Sequence, residues 1–462
     1  MILPQPSLAA EPFMQVIVIG AGLAGLSAAE SLLAGGADVT LIEAEQRFGG
    51  RTRTIHDSYL GGQYAESGAE WVDSIHWRML DLMQRFDIET LGEGMPWTTI
   101  RRWVYWNGER HAGSDIEKLE ANVFAAIECY ENLCEAPATT MDDPSQPHLH
   151  RDAEFLDSRS LADLIRESDL GPVGRLFARR NAQGEFASEP DKVSALFVAQ
   201  QRAFENSEVQ RQGIEMLSNR VKGGVSQIAQ ALGRDLSQHS RLTLKLGCAL
   251  TSVEQTSEGV VVGCSSSEGN FELAASHVVL ACSLVPLRNV EFRSEIPTAL
   301  REAMWGLGYG PITKTAVQFA NREWDSGYGT TDSLSQRLYD PSVDQDGESG
   351  MVMAYCGGDG GREVATKSEA ERIDAMTTDM RTIHGITSLS TGAFSRAWSS
   401  EPNYGGAYAT YEPGQVTKYW KVLREPWGRV HLAGEHVATC TGYMEGAVES
   451  GRDVADRILR SS

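Results

Sequence analysis

The sequence predicts an α/β fold built around a Rossmann-type dinucleotide-binding domain. Two observations support this prediction: a glycine-rich turn separates a short apolar run at residues 16–19 from an alanine-rich stretch, and a second strand pattern at 38–42 ends in Glu43. A strand, a G-x-G-x-x-G turn, a helix and an acidic residue about 20 positions later make up a dinucleotide-binding βαβ unit. The chain has 462 residues, of which 41% are hydrophobic, and this is enough for a second domain.

The residues of the turn have roles that follow from their small size. Gly20 permits the tight turn, Gly22 lets backbone N–H groups approach a pyrophosphate, and Gly25 allows close packing of the helix on the strand. The start of the helix favours the negative charge of the phosphates, and Glu43 suits the adenosine ribose hydroxyls. The dinucleotide contacts predicted for this unit are Gly20, Ala21, Gly22, Ala24, Gly25, Glu43 and Ala44.

A second pair of glycines follows the acidic residue. Gly49 and Gly50 directly precede Arg51, so backbone and a guanidinium group can both reach phosphate oxygens there. Nicotinamide enzymes do not usually carry this pattern. It resembles the flavin-containing amine oxidase family, which includes monoamine, polyamine and L-amino-acid oxidases, and the resemblance returns at intervals to the C-terminus. It implies that the cofactor is FAD, with Gly50 and Arg51 among its contacts.

Later segments extend the resemblance. The small-residue segment at 63–73 matches one that runs along the flavin, Val253 matches a valine on the adenine side, and residues 430–436 and 441–451 follow the family's closing pattern. A helix predicted to begin near Tyr443 can point its N-terminus at the flavin N1–C2=O edge, where negative charge settles on reduction. The further FAD contacts that the resemblance implies are Gly68, Ala69, Glu70, Val253, Gly434, Glu435, Tyr443, Met444 and Ala447.

Three residues match the reaction centre of the family. Lys314 lies on a strand predicted at 312–319, where the family keeps a lysine that is linked through water to flavin N5, and a cation there can stabilise charge on the reduced ring. Tyr408 and Tyr443 match two facing rings that align an amine. The resemblance implies hydride transfer from the carbon α to the amine nitrogen to flavin N5. The resulting imine hydrolyses, and dioxygen reoxidises FAD to give hydrogen peroxide.

Two departures from the membrane-bound, covalently flavinylated monoamine oxidases modify this expectation. Those enzymes carry a cysteine where this chain has Ala407, so FAD should be non-covalent. They also continue into a membrane-anchoring tail, whereas this sequence stops after the predicted last helix and contains no run of 18 apolar residues. We therefore expect no membrane partner.

The strand patterns recur in a way that predicts a discontinuous domain. Strand-rich sequence returns at 242–262 and again at 277–282, which fits repeated visits of the chain to the FAD-binding domain. We expect a glutathione-reductase-like FAD domain from 14–85, 219–292 and 391–462. A mixed-sheet and helical substrate domain should comprise 86–218 and 293–390, and residues 1–13 should form an extension. The Gly-, Asp- and Ser-rich segment 325–361 predicts loops.

The charge and the cysteine content argue against nucleic-acid-binding and zinc-binding proteins. The formal net charge is −22 with no cluster of Lys or Arg, which argues against a nucleic-acid partner. The seven cysteines contain no C-x-x-C pair, so no zinc site is indicated. The N-terminus lacks signal-peptide features. We expect a soluble cytoplasmic enzyme that acts on a small-molecule amine and dioxygen. The sequence leaves open whether the enzyme forms a homodimer.

Two alternatives accompany this interpretation. On the same fold, the chain could be an L-amino-acid oxidase or another flavin-dependent oxidase or desaturase. An amino-acid oxidase would need an arginine that faces the substrate carboxylate, and Arg78, Arg101 and Arg102 are available. The second alternative is a flavin-bearing binding or scaffold protein without turnover, against which the presence of Lys314 and both tyrosines argues.

Overall fold

A parallel sheet carries the dinucleotide turn at the end of its central strand. The computed structural model describes residues 14–95, 102–325 and 327–461. In these ranges the sheet has five strands, in the order Leu242–Leu246, Asp38–Glu43, Gln15–Ile19, His277–Leu280 and Val430–Leu432. The strands Gln15–Ile19 and Asp38–Glu43 form the predicted βαβ unit, and the other three strands join it from distant parts of the chain, as in a doubly wound fold. The predicted α/β class is confirmed, whereas the residue ranges of the two domains stay a prediction.

Two helices from opposite ends of the sequence pack together beside the parallel sheet. Leu23–Ala34 follows the glycine turn, and Met444–Arg460 lies against it. The approach is close, because a Cβ atom on Gly451 would lie 2.2 Å from the carbonyl oxygen of Ala24. A side chain at Gly451 would therefore push the two helices apart.

The second large sheet is mixed and has seven strands among the described residues. The strands of this sheet in the described part of the chain follow the order Ser390–Ala397, Thr313–Phe319, Gly350–Cys356, Arg337–Tyr339, Tyr328–Thr331, Arg102–Trp106 and Glu109–Ala112. Every residue of Thr313–Phe319 is buried, so this strand lies inside the molecule rather than at its surface.

The loops predicted for 325–361 are wrong. This segment supplies the strands Tyr328–Thr331, Arg337–Tyr339 and Gly350–Cys356, followed by the helix Gly358–Ala365. Its glycine, aspartate and serine residues suggest turns, but Gly350–Cys356 is buried along nearly its whole length. A strand covered on both faces shows no alternation of polar and apolar residues, and short apolar runs of this kind are easily missed.

Smaller sheets and helices complete the structure. A sheet in the order Gly269–Ala275, Val260–Ser266, Ala249–Gln255 and Glu291–Phe292 adjoins the parallel sheet. The other strands are Thr54–Ile55 with Ala65–Glu66, Gly308–Tyr309 with Ala409–Thr410, and Val72–Asp73 and Thr90–Met95 on either side of Ser218–Val221. The remaining α-helices are Trp77–Arg85, Val123–Glu135, Ala153–Asp157, Leu161–Glu167, Pro172–Glu185, Ala195–Gln212, Ser226–Leu236, Leu284–Leu287, Thr298–Gly306, Glu369–His384 and Gln415–Arg424. Short 3-10 helices span Gly113–Lys118, Ala138–Thr140, Pro147–Leu149, Pro190–Lys192, Trp398–Ser400 and Glu435–Val437. None of the described helices is both long and apolar enough to span a lipid bilayer.

Candidate active site

One cavity of 1510 Å³ extends from the carboxyl ends of the parallel strands to the mixed sheet. Ligand pockets are usually about 300–1,000 Å³, so this cavity has room for more than a single small molecule. The structure brings most of the predicted site residues to its wall: Gly20, Gly22, Ala24, Glu43, Ala44, Gly50, Arg51, Gly68, Ala69, Glu70, Lys314, Tyr408, Gly434, Glu435, Tyr443, Met444 and Ala447.

The glycine turn leaves its backbone open towards the cavity. Gly20 has φ of +101°, and a Cβ atom on Gly25 would lie 1.8 Å from the carbonyl oxygen of Gly20. A Cβ atom on Gly22 would meet no atom within 4 Å. Gly22 also caps the helix Leu23–Ala34 without a side-chain hydrogen bond. The turn is therefore closed on its inner side and open where a phosphate would approach.

Glu43 is bonded to the turn itself. The Glu43 carboxylate accepts hydrogen bonds from the Ala21 N–H at 2.7 Å and from the Glu45 N–H at 2.8 Å. Burial raises the pKa of Glu43, although these two N–H donors oppose the rise. Ala21 and Gly25 do not line the cavity, so their expected roles reduce to shaping the turn.

Val253 is also absent from the cavity wall. It is fully buried in the strand Ala249–Gln255, where it pairs with Val262. Leu250 of the same strand does line the cavity. A contact between the Val253 backbone and the adenine side of FAD stays a prediction.

Arg51 and Glu435 form an ion pair in which Glu435 is buried and Arg51 is half-buried. The Arg51 Nη1 atom lies 2.9 Å from Glu435 Oε1. Glu435 also accepts hydrogen bonds from the backbone N–H groups of Ala409 at 3.3 Å and Gly442 at 3.0 Å. The carboxylate therefore ties together three segments that are far apart in sequence, and it holds the guanidinium group at the cavity wall.

Lys314 is held by a second buried ion pair. Its Nζ atom lies 2.9 Å from Glu70 Oε2 and 3.1 Å from the Gly68 carbonyl oxygen, and the residue is 2% exposed. Glu70 also contacts Arg220 at 3.0 Å and accepts a hydrogen bond from the Tyr339 hydroxyl at 2.5 Å. Burial alone would raise the pKa of Glu70, but Lys314 and Arg220 hold it below its ordinary value. Lys314 is thus a fixed charge beside the cavity rather than a solvent-facing strand lysine.

Tyr408 and Tyr443 are both anchored by the last turn of the helix Pro172–Glu185. The Tyr408 hydroxyl donates to the Gly184 carbonyl oxygen and lies 3.3 Å from the Tyr355 hydroxyl. The Tyr443 hydroxyl donates to Glu185 Oε1 at 2.8 Å. Both tyrosines line the cavity, and that they face each other across a substrate stays a prediction.

Carboxylates near Tyr443 are further functional candidates that were not predicted from the sequence. Asp73, Glu185 and Glu205 line the cavity. Burial raises the pKa of Glu205 to about 8, and the charge of Glu185 adds to this effect. These residues lie on different elements and belong to no local motif, so no signal in the sequence links them.

The arginines that could bind a substrate carboxylate differ in whether they line the cavity. Arg102 and Arg337 line the cavity. The Arg78 side chain instead bonds Glu445 at 3.1 Å, and Arg101 lies outside the described residues. The guanidinium of Arg337 packs on Gly184, because a Cβ atom there would lie 2.0 Å from Arg337 Nη1. Arg337 thus lies beside the anchor of Tyr408, and no motif in the sequence points to it.

The fold and the cavity are those of a dinucleotide-binding protein, and the cleft continues into a chamber lined by aromatic and charged side chains. A family model described as flavin containing amine oxidoreductase matches residues 23–459. The chain therefore belongs to this family, and its cofactor is FAD.

Individual relatives agree with this assignment. An amine oxidase [flavin-containing] A from Sus scrofa is 27% identical and covers 97% of this chain and 85% of the relative. An L-amino-acid oxidase from Echis ocellatus is 24% identical, and the match covers 97% of this chain and 89% of the relative. Among solved structures, cyclohexylamine oxidase from Brevibacterium oxydans IH-35A matches with a TM-score of 0.81 at 22% identity, covering 97% of this chain and 99% of that one. A putrescine oxidase bound to putrescine gives a TM-score of 0.79 at 22% identity, and the match covers 97% of this chain and 100% of that one.

The residues at the cavity fit FAD. Besides the helix at Gly22, the helix Met444–Arg460 begins at the cavity without a side-chain cap, and such helix starts suit phosphate oxygens or a developing negative charge. Arg51 adds a guanidinium group to the same wall. We expect the turn at Gly20 and Gly22 to hold the pyrophosphate.

Proposed function

We propose that this protein is an FAD-dependent amine oxidase. When bound, FAD supplies the redox chemistry: it takes a hydride from the carbon next to the amine nitrogen, and dioxygen reoxidises it with release of hydrogen peroxide. The oxidised substrate is an imine, which water hydrolyses to a carbonyl compound and an amine or ammonia. The observation that carries the proposal is that Lys314, Tyr408 and Tyr443 line the same cavity as the dinucleotide turn.

The residues of the chamber have complementary tasks in this proposal. Tyr408 and Tyr443 present rings that orient an amine and exclude water. The Glu185 carboxylate at the cavity wall favours a cation, which is the form that most amines take in water. Lys314 holds a positive charge at a fixed place, where it stabilises negative charge that develops on reduction.

An anaerobic screen tests the proposal. Purified protein with bound FAD is mixed without oxygen with primary, secondary, cyclic and poly-amines, and bleaching of the flavin absorbance is followed. We expect at least one amine class to bleach the flavin and oxygen to restore the colour with formation of hydrogen peroxide. If no amine bleaches the flavin, the proposal fails and a binding protein without turnover is favoured.

An L-amino-acid oxidase is the second candidate. Arg337 favours it, because its guanidinium group lines the cavity next to Gly184, the hydrogen-bond partner of Tyr408. A guanidinium group can bind a carboxylate with two hydrogen bonds. Each amine in the screen is therefore paired with its α-carboxylated analogue. If the analogue is the better substrate and Arg337→Gln abolishes that preference, the amino-acid oxidase replaces the amine oxidase.

A further inference from the structure

His436 has two buried nitrogen atoms that no contact satisfies. It is fully buried, and neither Nδ1 nor Nε2 has a hydrogen-bond partner among the described residues. The residue nevertheless lines the cavity that holds the cofactor. Buried polar side-chain atoms are nearly always hydrogen-bonded in native proteins, so two unpaired nitrogens at a ligand cavity indicate that the ligand supplies the partners.

The backbone fixes the place of this imidazole. Gly434 has φ of +142°, and a Cβ atom there would lie 2.5 Å from Cε1 and 2.7 Å from Nδ1 of His436. The Tyr411 hydroxyl donates to the His436 carbonyl oxygen at 3.1 Å. The ring therefore rests against a glycine that leaves room for it, and the peptide behind it is anchored.

The imidazole is neutral at physiological pH. Burial lowers the pKa of His436 to about 3, and the nearby guanidinium groups of Arg51 and Arg424 add to the effect. The Tyr309 ring lies 6.3 Å from the His436 ring, and Glu435 precedes it in the chain while pairing with Arg51. A neutral imidazole offers one N–H donor and one nitrogen acceptor.

We propose that His436 binds the ribityl chain of FAD, donating a hydrogen bond to one hydroxyl and accepting one from another. A phosphate group only accepts hydrogen bonds, so it would leave one nitrogen unpaired, whereas hydroxyl groups both donate and accept. Adenosine ribose also carries hydroxyls, but Glu43, the residue predicted to bind it, lies at the turn. His436 directly follows Glu435, which bonds both Arg51 and the backbone of Gly442. Arg51 is a predicted phosphate contact, and Gly442 precedes the predicted flavin contact Tyr443. His436 therefore lies between the predicted phosphate and flavin contacts.

Binding to the apoprotein tests this proposal independently of any amine reaction. FAD is removed from the wild type, His436→Phe and His436→Asn, and the dissociation constants of FAD and of ADP, which lacks the ribityl chain, are measured by titration. We expect His436→Phe to weaken FAD binding roughly 10- to 100-fold, because each lost buried hydrogen bond leaves a partner unpaired. His436→Asn, which keeps a donor and an acceptor, should recover part of the loss. ADP affinity should stay at the wild-type value.

His384 provides a matched control. Both of its ring nitrogens are also unpaired among the described residues, but it packs between Trp103 and Trp324 and does not line the cavity. His384→Phe should leave the FAD dissociation constant unchanged. If His436→Phe does not fold as an apoprotein, the smaller His436→Ala serves in the same comparison with His436→Asn.

Three results would overturn the proposal. One is an unchanged FAD affinity in His436→Phe or His436→Ala, and another is an equal loss of FAD and ADP affinity, which would place the contact on the diphosphate or adenosine. The third concerns pH. Because a neutral imidazole is proposed, the ratio of mutant to wild-type dissociation constants should stay constant between about pH 5.5 and 8.5. A ratio that falls towards one above about pH 7 would indicate an imidazolium bound to phosphate instead.

Discussion

The ammonium group of Lys314 is positioned by contacts on several sides. The Gly68 carbonyl oxygen and Glu70 hold its Nζ atom, which also lies 5.6 Å from the centre of the Tyr355 ring. The lysine is therefore rigid, and its charge is compensated without being exposed to water. Such a preorganised cation stabilises a developing anion more than a mobile one does.

Lys314→Met should slow flavin turnover on the order of 10- to 100-fold while FAD stays bound. Glu70 retains Arg220 and Tyr339, so the loss of stability should be smaller than the roughly 3–5 kcal/mol typical of a broken buried ion pair. Stopped-flow measurement of flavin reduction and of reoxidation identifies the affected half-reaction.

A double variant tests whether neutralising Glu70 is the only task of Lys314. Lys314→Met with Glu70→Gln leaves no Glu70 charge to neutralise, but it also deprives Arg220 of its carboxylate partner. The rate should therefore stay low, and stability should not return to the wild-type value. If the single variant reduces and reoxidises its flavin at wild-type rates, Lys314 serves only to neutralise Glu70.

Substitutions of Tyr408 and Tyr443 distinguish a substrate-facing ring from a packing residue. Tyr→Phe removes the hydrogen bond to Gly184 or Glu185 and should cost about 1 kcal/mol of stability, with a mild effect on rate. Tyr→Ala removes the ring and should cut the anaerobic flavin-reduction rate at least tenfold, out of proportion to the change in melting temperature.

Tyr59 is the control for the tyrosine variants. It is buried but does not line the cavity, so Tyr59→Ala should cost about 3–5 kcal/mol and leave the reduction rate of the folded protein near normal. The same behaviour in Tyr408→Ala or Tyr443→Ala would refute a substrate-facing role for that residue.

Glu205 should make stability depend on pH. The pKa of Glu205 is raised from 4.5 to about 8 by burial and by Glu185, so the folded protein holds this proton more tightly than the unfolded chain. The resulting stabilisation is fully present below about pH 4.5 and is lost as the pH rises towards 8. Melting temperatures measured between about pH 5 and 8.5 should therefore fall less in Glu205→Gln than in the wild type. The difference should be several degrees at most, since one pKa unit corresponds to about 1.4 kcal/mol.

Glu208 lies one turn further along the same helix and provides the comparison. Burial raises its pKa, but hydrogen bonds from Arg211 and Gln212 bring it below the ordinary value. Glu208→Gln should therefore leave the decline of the melting temperature between about pH 5 and 8.5 unchanged. If the melting temperature falls equally with pH in the wild type and in Glu205→Gln, Glu205 has an ordinary pKa.

At the scale of elements, the glycine turn contains two positions with opposite requirements. A methyl group on Gly25 would collide with the Gly20 carbonyl oxygen, whereas one on Gly22 would enter open space. Gly25→Ala should destabilise the protein by about 1–3 kcal/mol or more. Gly22→Ala should fold normally but weaken FAD binding at least roughly tenfold, because the methyl group occupies the path of the phosphate.

Apoprotein melting curves and FAD titrations of the two variants check this prediction. Wild-type FAD affinity in Gly22→Ala would mean that the pyrophosphate does not approach the turn. Glu43→Ala should also weaken FAD binding, and part of this loss now has a structural reason, since the carboxylate orients Ala21 within the turn.

The elements differ in how far their sequence determines them. The βαβ unit with Glu43 could be predicted because its glycines have local conformational and packing requirements. The strand Gly350–Cys356 could not, since its burial depends on neighbours far away in sequence. The same holds at the site: Lys314 and Tyr443 stand in recognisable segments, whereas Glu185, Glu205 and Arg337 come together only through the packing of separate helices and strands.

For the whole molecule, the cofactor should be released by denaturation. Ala407 has no sulfur to form a thioether. Precipitation with acid should leave the yellow FAD in the supernatant, which an absorbance spectrum measures. Flavin that stays with the protein pellet would contradict a non-covalent site and would direct attention to Cys248 and Cys282, which line the cavity.

The packing of Leu23–Ala34 against Met444–Arg460 has a consequence for biosynthesis. The helix Leu23–Ala34 leaves the ribosome long before Met444–Arg460, so its buried face stays without its partner during synthesis of the intervening chain. Until then the apolar surface is exposed to chaperones, as expected for folds dominated by distant contacts. The glycine turn thus exists in the nascent chain before the strand Val430–Leu432 and the helix Met444–Arg460 close the cleft, so we expect flavin capture to follow synthesis of these two elements.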